Sequence, residues 1–360
     1  MERCFEMKRD TIHILAASDS RYLAGLYVTL ASCIVSNKFE DELALHVIDT
    51  GLKEVEKQQL GEYFKRFPNV TLMLHAMDEK LFASRPAAYR GNISTYARLA
   101  MGELLSVPKC IYIDVDILVQ CNVRELWDVP MGDNIIMARM DDYPFLDGAA
   151  PNTLANDCPF APKEDVEHYR YYNVGVLVCN LDAYRACNVF AQALQLLSSH
   201  GHLVMFADQP VLNYICRGRI GEISVRWNTR VLPEPLQECN YHYLSHKKPW
   251  NYVRAAPGAK LWRLFNDIFV KEFFPYTPPI RIRLQNIIFH IRSCVAMLMP
   301  SVFCFFIKRR EGVSLANVKY KCFIYYRKTI FRGGLDSESR KYYETKKCEW
   351  QRIRDTQAIK

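Results

Sequence analysis

The sequence predicts an α/β protein: a mixed, mainly parallel sheet with flanking helices, followed by a basic helical C-terminal extension. Three observations carry that expectation. Through the first half, short apolar runs of strand length alternate with helical patterns, the rhythm of right-handed crossover units. The length of 360 residues exceeds what one core usually fills, so one domain of roughly 250 residues with an appendage is expected. The charge is divided as well: residues 276–360 hold 18 Lys and Arg against 6 Asp and Glu, whereas residues 1–275 hold 29 against 33.

The elements follow in order. TIHILAA at 11–17 is a short apolar run suited to a buried strand; the polar turn SDSRY and the helical pattern LAGLYVTLASCIV come after it. LALHVID at 43–49 reads as a second strand, KEVEKQQLGEYFKRF as a helix and VTLMLHAM as a third strand. TYARLAMGELLS at 95–106 is helical in pattern, and CIYIDVDILV at 110–119 is the most apolar strand of the chain, interrupted by two acids. IIMAR at 135–139 and YYNVGVLVCNLD at 171–182 read as further strands, with a loop rich in Pro, Asp and Gly between them. Helical patterns cover 184–199 and 208–216, and 228–258 is irregular, with the loop HYLSHKKPW at 242–250 inside it. The composition shifts at YTPPIRIR, which sets the expected boundary between a domain at 1–275 and an extension at 276–360.

With half its residues hydrophobic, the chain is neither collagenous, nor low in complexity, nor purely transmembrane. Thirteen cysteines without a CxxC spacing, odd in number, argue against a zinc site or a complete disulfide framework and point to a reducing compartment. The first residues lack the uninterrupted apolar stretch of a signal peptide, so a cytoplasmic location is expected.

Asp114 and Asp116 carry the clearest chemistry. On a strand, alternate side chains share a face, so the two carboxylates are expected to converge while Val115 points to the other side. Among apolar neighbours, such a pair is costly unless it ionises against a cation. Oxygen ligands suit Mn²⁺ or Mg²⁺, ions that commonly bridge phosphates.

TYARLAMGELL followed by KCIYIDVDILVQCNVRELWD resembles the helix and the metal-binding Asp-x-Asp segment of the family 8 retaining glycosyltransferases. That family includes the lipopolysaccharide α-galactosyl- and α-glucosyltransferases and, more distantly, glycogenin. The resemblance extends over most of residues 11–255 and implies a GT-A type, Rossmann-like fold and a nucleotide-sugar donor. AASDSRY is similar to the family's first nucleotide loop, which gives Asp19 and Tyr22 the uracil, with Ala17 beside them and Val115 at the nucleotide between the two acids. YYNVGVLVCNL resembles the strand that borders the donor sugar, a role falling to Asn173, Val174 and Gly175. ADQPVLN resembles the Asp-Gln block, with Asp208 on the sugar hydroxyls and Gln209 beneath the anomeric carbon; Pro210 stands where relatives often have a second acid. HYLSHKKPW resembles the family's His-x-x-Gly-x-x-Lys-Pro-Trp loop, which implies His242 as third metal ligand, with His246 as its rival, and Lys248 on the diphosphate. Ser245 replaces the glycine. Arg98 is expected to reach the donor, and Asp141 or Asp142 the donor sugar or acceptor.

The resemblance implies transfer of a hexose from UDP-galactose or UDP-glucose to a lipopolysaccharide or related lipid-linked glycan. A glycogenin-like protein glucosyltransferase and a non-catalytic sugar-nucleotide-binding protein are the alternatives. QNIIFHIRSCVAMLMPSVFCFFI at 285–307 is nearly long enough to span a bilayer, but His290, Arg292 and Pro300 interrupt it. Flanked by bases, it reads as a segment docking on an anionic membrane surface from the cytoplasmic side, with a buried core helix and a true membrane span as alternatives. Nucleic acid is not expected as a partner, because no recognised binding module accompanies the charge.

Overall fold

The computed structural model describes residues 10–78, 94–141, 154–156, 158–204, 207–230, 239–244, 248–251, 258–288 and 333–357. The chain divides into two compact units, Met1–His242 with Arg352–Lys360, and Tyr243–Gln351.

The first unit is built on a seven-stranded sheet. Its strands are β1 (Ile12–Ser18), β2 (Leu43–Asp49), β3 (Val70–Ala76), β4 (Lys109–Ile113), β6 (Ile136–Met140), β7 (Tyr172–Asn180) and β8 (Ile220–Glu222), in the order β3-β2-β1-β4-β7-β6-β8. β3, β2, β1 and β4 run parallel, β7 is antiparallel to both of its neighbours, and β8 is parallel to β6. This is the mixed, mainly parallel sheet with flanking helices that was expected.

The apolar runs explain the layering. β1 and β2 are buried almost throughout, because a parallel strand covered on both faces needs a continuous apolar sequence, and TIHILAA and LALHVID supply it. The edge strand β3 instead has no fully buried position, only half-buried and exposed ones. The helix Leu23–Ser36 is buried over nearly its whole length, as its almost uniformly apolar sequence requires.

Two expected elements are broken. The pattern at 95–106 is a helix at Ser94–Ala97, a 3₁₀ turn at Arg98–Ala100 and a second helix at Met101–Leu104. The run at 110–119 is not one strand. β4 stops at Ile113, a turn closes with the Ile117 amide donating to the Asp114 carbonyl at 3.2 Å, and β5 (Ile117–Leu118) leaves the main sheet to pair with β9 (Tyr241–His242). Asp114 and Asp116 therefore lie in a turn, and strand alternation is not what aims them.

In the second unit the helix Ala259–Phe265 continues into a π-helical turn at Asn266–Val270. Phe265 meets Tyr343 of the helix Gly333–Gln357 edge-on, with ring centroids 5.3 Å apart. Residues 280–288 are helical, but the segment expected at 285–307 lies outside the described residues from 289 onward. Among the described residues, no helix is long and apolar enough to cross a membrane.

Candidate active site

β1 and β4 both end at the same edge of the sheet, where open α/β sheets place ligands. Because β7 is antiparallel, its beginning reaches that edge too: Ile113 pairs with Val176, and the Asp114 amide donates to the Gly175 carbonyl at 2.8 Å. The β5–β9 pair, in which Ile117 faces His242, brings the third member in. His242 Nε2 lies 3.1 Å from an Asp116 oxygen and 3.8 Å from one of Asp114.

The ligating atoms of Asp114, Asp116 and His242 all lie within 4.8 Å of one another, and among the described residues no other three His, Cys, Asp or Glu converge in this way. Two carboxylate oxygens and one imidazole nitrogen form a donor set that suits an oxygen-preferring divalent cation. Gly175 makes room for it. A Cβ there would run into His242 Cε1 and stand 2.9 Å from Nδ1, so any other residue would push the imidazole away.

Behind this trio lies a buried ion-pair cluster. Arg98 is 5% exposed; its Nη2 meets Asp114 at 2.8 Å, its Nε lies 2.7 Å from Asp208, and its Nη1 donates to the Val174 carbonyl at 2.6 Å. The Nε and Asp208 Oδ2 are close but not aligned as a hydrogen bond, so their attraction is chiefly charge. The guanidinium also sits over the Tyr112 ring, whose hydroxyl donates to Asp114 at 2.9 Å. Burial alone would lower the pKa of Arg98, but Asp114 and Asp208 outweigh it and raise it. Burial pushes Asp208 up to about 7, with Asp114 adding to the rise and Arg98 opposing it. Arg98, expected at the donor, is thus engaged with the protein's own acids.

Asp208 and Gln209 open the helix Asp208–Ile215, with Pro210 in its first turn. The residue before it, Ala207, has φ 55°, a left-handed value rare for a side chain with a Cβ, so the backbone is held under strain where it presents these two residues. Gln209 Oε1 accepts from Asn173 Nδ2 at 3.2 Å and from the Val174 amide at 3.3 Å, and its Nε2 donates to Asp141 at 2.9 Å. Asp141 is also ion-paired with Arg230.

In the first loop the Asp19 carboxylate accepts from the Arg21 amide at 2.8 Å and from its guanidinium at 2.7 and 2.9 Å. Tyr22 starts the following helix, its amide donating to the Asp19 carbonyl, and Ala17 is buried at the end of β1. Val115 lies in the turn between the two acids. Lys248 belongs to the second unit, where its Nζ donates to the Tyr243 carbonyl at 2.8 Å. Asp142, Ser245 and His246 lie outside the described residues. The structure therefore gathers Arg98, Asp114, Asp116, Asp141, Asn173, Val174, Gly175, Asp208, Gln209 and His242 into one linked cluster. Sequence reasoning missed Tyr112, Asn228 and Arg230. Tyr112 could have been found two residues before Asp114, whereas Asn228 and Arg230 sit in a stretch with no periodic signal.

A mixed sheet with an acid-and-histidine trio at its ligand edge, beside an Asp-Gln pair on a helix start, is the arrangement that the sequence resemblance leads one to expect. Comparison with known proteins agrees. Residues 13–254 match the family described as Glycosyl transferase family 8, and the chain belongs to that family. It is similar to a putative glycosyltransferase of Haemophilus influenzae, 24% identical over 219 residues, which are 61% of this chain and 63% of that protein. It is also similar to lipopolysaccharide 1,2-glucosyltransferase of Escherichia coli, 19% identical over 277 residues, 71% of this chain and 77% of that one. In fold it resembles the galactosyltransferase LgtC in complex with donor and acceptor sugar analogues, with a TM-score of 0.61 and 24% identity, over 76% of this chain and 99% of that one.

Proposed function

We propose that the protein transfers a hexose, galactose or glucose, from its UDP-sugar to a lipopolysaccharide or related lipid-linked glycan, in a reaction dependent on Mn²⁺ or Mg²⁺. The observation that carries this reading is the convergence of Asp114, Asp116 and His242 beside Asp208 and Gln209. A divalent cation held there would neutralise charge on the diphosphate leaving group. By the resemblance, the uracil is assigned to Asp19 and Tyr22, with Ala17 and Val115 beside it, and the diphosphate to Lys248 and Ser245. Asn173, Val174 and Gly175 border the sugar, with Arg98 steadying the acids beneath it.

Retention with a covalent intermediate needs a carboxylate nucleophile. Asp208 is 1% exposed and held against Arg98, which makes it a poor nucleophile, and Gln209 is a neutral amide whose oxygen already accepts two hydrogen bonds. Attack on the same face as the departing diphosphate fits better: the diphosphate takes the acceptor's proton and Gln209 steadies the cationic sugar.

The extension at 276–360 serves as the membrane-docking part, at the inner face of the cell membrane. Ile280, Leu284, Ile287 and Ile288 are each 48% or more exposed and recur at helical spacing on one face, with Arg281 and Arg283 among them, as an interfacial helix requires.

The test is UDP release from a panel of UDP-hexoses, with Mn²⁺ and with EDTA, for the wild type and Asp116→Ala. Metal-dependent turnover of one sugar, abolished by the substitution, is expected. Equal turnover in EDTA would remove the metal from the reading, and no turnover of any UDP-sugar would remove the donor.

A further inference from the structure

Backbone amides fix which way the side-chain amides of the cluster point. An N–H can only donate, so the Asn173 atom that the Gly175 amide meets at 3.0 Å must be its oxygen, Oδ1. The Asn228 atom 2.7 Å from that same oxygen must then be a donor, Nδ2. The other end of the Asn228 amide is its oxygen, and it lies 2.9 Å from His242 Nδ1, which must therefore carry the proton. His242 is left with Nε2 facing Asp114 and Asp116, the nitrogen a cation would use.

The same logic runs on to the sugar side. With Asn173 Oδ1 filled, Asn173 Nδ2 points to Gln209 Oε1, an orientation the Val174 amide enforces independently at 3.3 Å. Gln209 Nε2 then donates to Asp141. The donors run one way, from His242 through Asn228, Asn173 and Gln209 to Asp141. Hydrogen bonds aligned in this way polarise one another.

Asn228 is the junction, 1% exposed. It is held where the Thr229 amide donates to the Asn240 carbonyl at 2.9 Å and the His242 amide donates to the Thr229 carbonyl at 2.8 Å, so it rides on the segment that delivers His242. The two ends of its side-chain amide let it accept from the imidazole and donate to Asn173 at the same time.

We infer that Asn228 is a positioning residue that holds His242 with Nδ1 protonated and Nε2 turned to the metal, and that couples this ligand to Gln209 through Asn173. The inference rests on the metal reading above. Two variants separate its parts: Asn228→Ala removes both hydrogen bonds, whereas Asn228→Asp keeps an acceptor for His242 but sets an oxygen against Asn173 Oδ1.

The probe is Mn²⁺ alone, with the free ion read by electron paramagnetic resonance, and the second readout is kcat for UDP-sugar cleavage. In Asn228→Ala the Kd for Mn²⁺ should rise about 10- to 100-fold, the usual cost of losing such an outer partner. In Asn228→Asp the Kd should stay in the wild-type range while kcat falls. Unchanged Mn²⁺ affinity in the alanine variant, or equal loss in both variants, overturns the inference. Nitrogen-15 spectra of His242 in the wild type, with and without Mg²⁺, give a check that needs no variant to fold: Nδ1 should be protonated in both, and a bare Nδ1 overturns the assignment. Should the wild type bind no Mn²⁺, the metal reading falls, and these spectra alone decide the role of Asn228.

Discussion

Two histidine-bearing clusters of the first unit differ in what each leaves unspent. Across β1, β2 and β3, His13 Nδ1 lies 2.9 Å from His46 Nε2, and His46 Nδ1 lies 2.9 Å from His75 Nε2. The register explains the ladder: Leu15 pairs with His46 and Ile48 with His75, so the three rings climb diagonally across one face of the sheet. The central ring gives both nitrogens to its neighbours and has none left for a ligand. At the other cluster His242 gives only Nδ1, to Asn228, and turns Nε2 toward two carboxylates. Three histidines in line form a closed structural strap, whereas one histidine and two acids aimed at a point form a site.

The comparison is tested most severely at Arg98. If the acids are held by this one buried cation, Arg98→Met leaves Asp208 unpaired in the interior, a loss that costs about 3–5 kcal/mol for buried pairs. A large fall in the denaturant midpoint is expected, and adding Asp208→Asn should restore part of it, because the stranded charge is gone. A midpoint within about 1 kcal/mol of wild type, the range of exposed pairs, would mean that water reaches the cluster and that it is no more closed than a surface pair.

Gly175→Ala sharpens the contrast on the other side. The added methyl would collide with the imidazole of His242, while the fold around β7 need not change. A displacement of that kind costs about 10²-fold in kcat when a reacting group is shifted by about 1 Å. The expected result is a loss of that order in UDP-sugar cleavage, with weakened Mn²⁺ binding and an unchanged circular dichroism spectrum. Retained Mn²⁺ affinity would mean that His242 has room to move and that the glycine serves only the donor sugar.

The two clusters were unequally legible. The apolar runs TIHILAA and LALHVID are enough to predict β1 and β2, since a strand covered on both faces must be apolar throughout. The acids of the Asp-x-Asp segment are visible in the same way, but their aim is not. Ile117 to Val119 look like more of β4, and only pairing with β9, far along the chain, reveals that the strand has ended and a turn has begun. Asn228 and Arg230 stand in a stretch whose polarity suits any loop; their value comes from the segment's pairing with 240–242, which has no local pattern. Arg98 was visible, but its partners Asp114 and Asp208 are brought together by three different elements.

The smallest effect at neutral pH is expected from the ladder, and it emerges only in acid. Burial, with smaller contributions from His75 and His13, lowers the pKa of His46 from 6.5 to about 3, and burial also lowers His13 and His75, against the raising effect of Asp10 on His13. A histidine whose pKa is depressed on folding stabilises the fold fully above its unfolded pKa. Below it the unfolded chain binds the proton first, and stability drains away as pH falls from about 6.5 toward 3. His46→Leu removes that titration from the middle of the sheet, while the half-buried His13 and His75 can still turn to water. At pH 7 to 8 its denaturant midpoint should lie within about 1 kcal/mol of wild type, the net worth of an ordinary hydrogen bond. Between pH 6 and 4 the wild type should lose stability more steeply than the variant. Parallel acid limbs would show that protons reach His46 freely in the folded protein, and the ladder would then be an open histidine cluster, closer in kind to the site than its geometry implies.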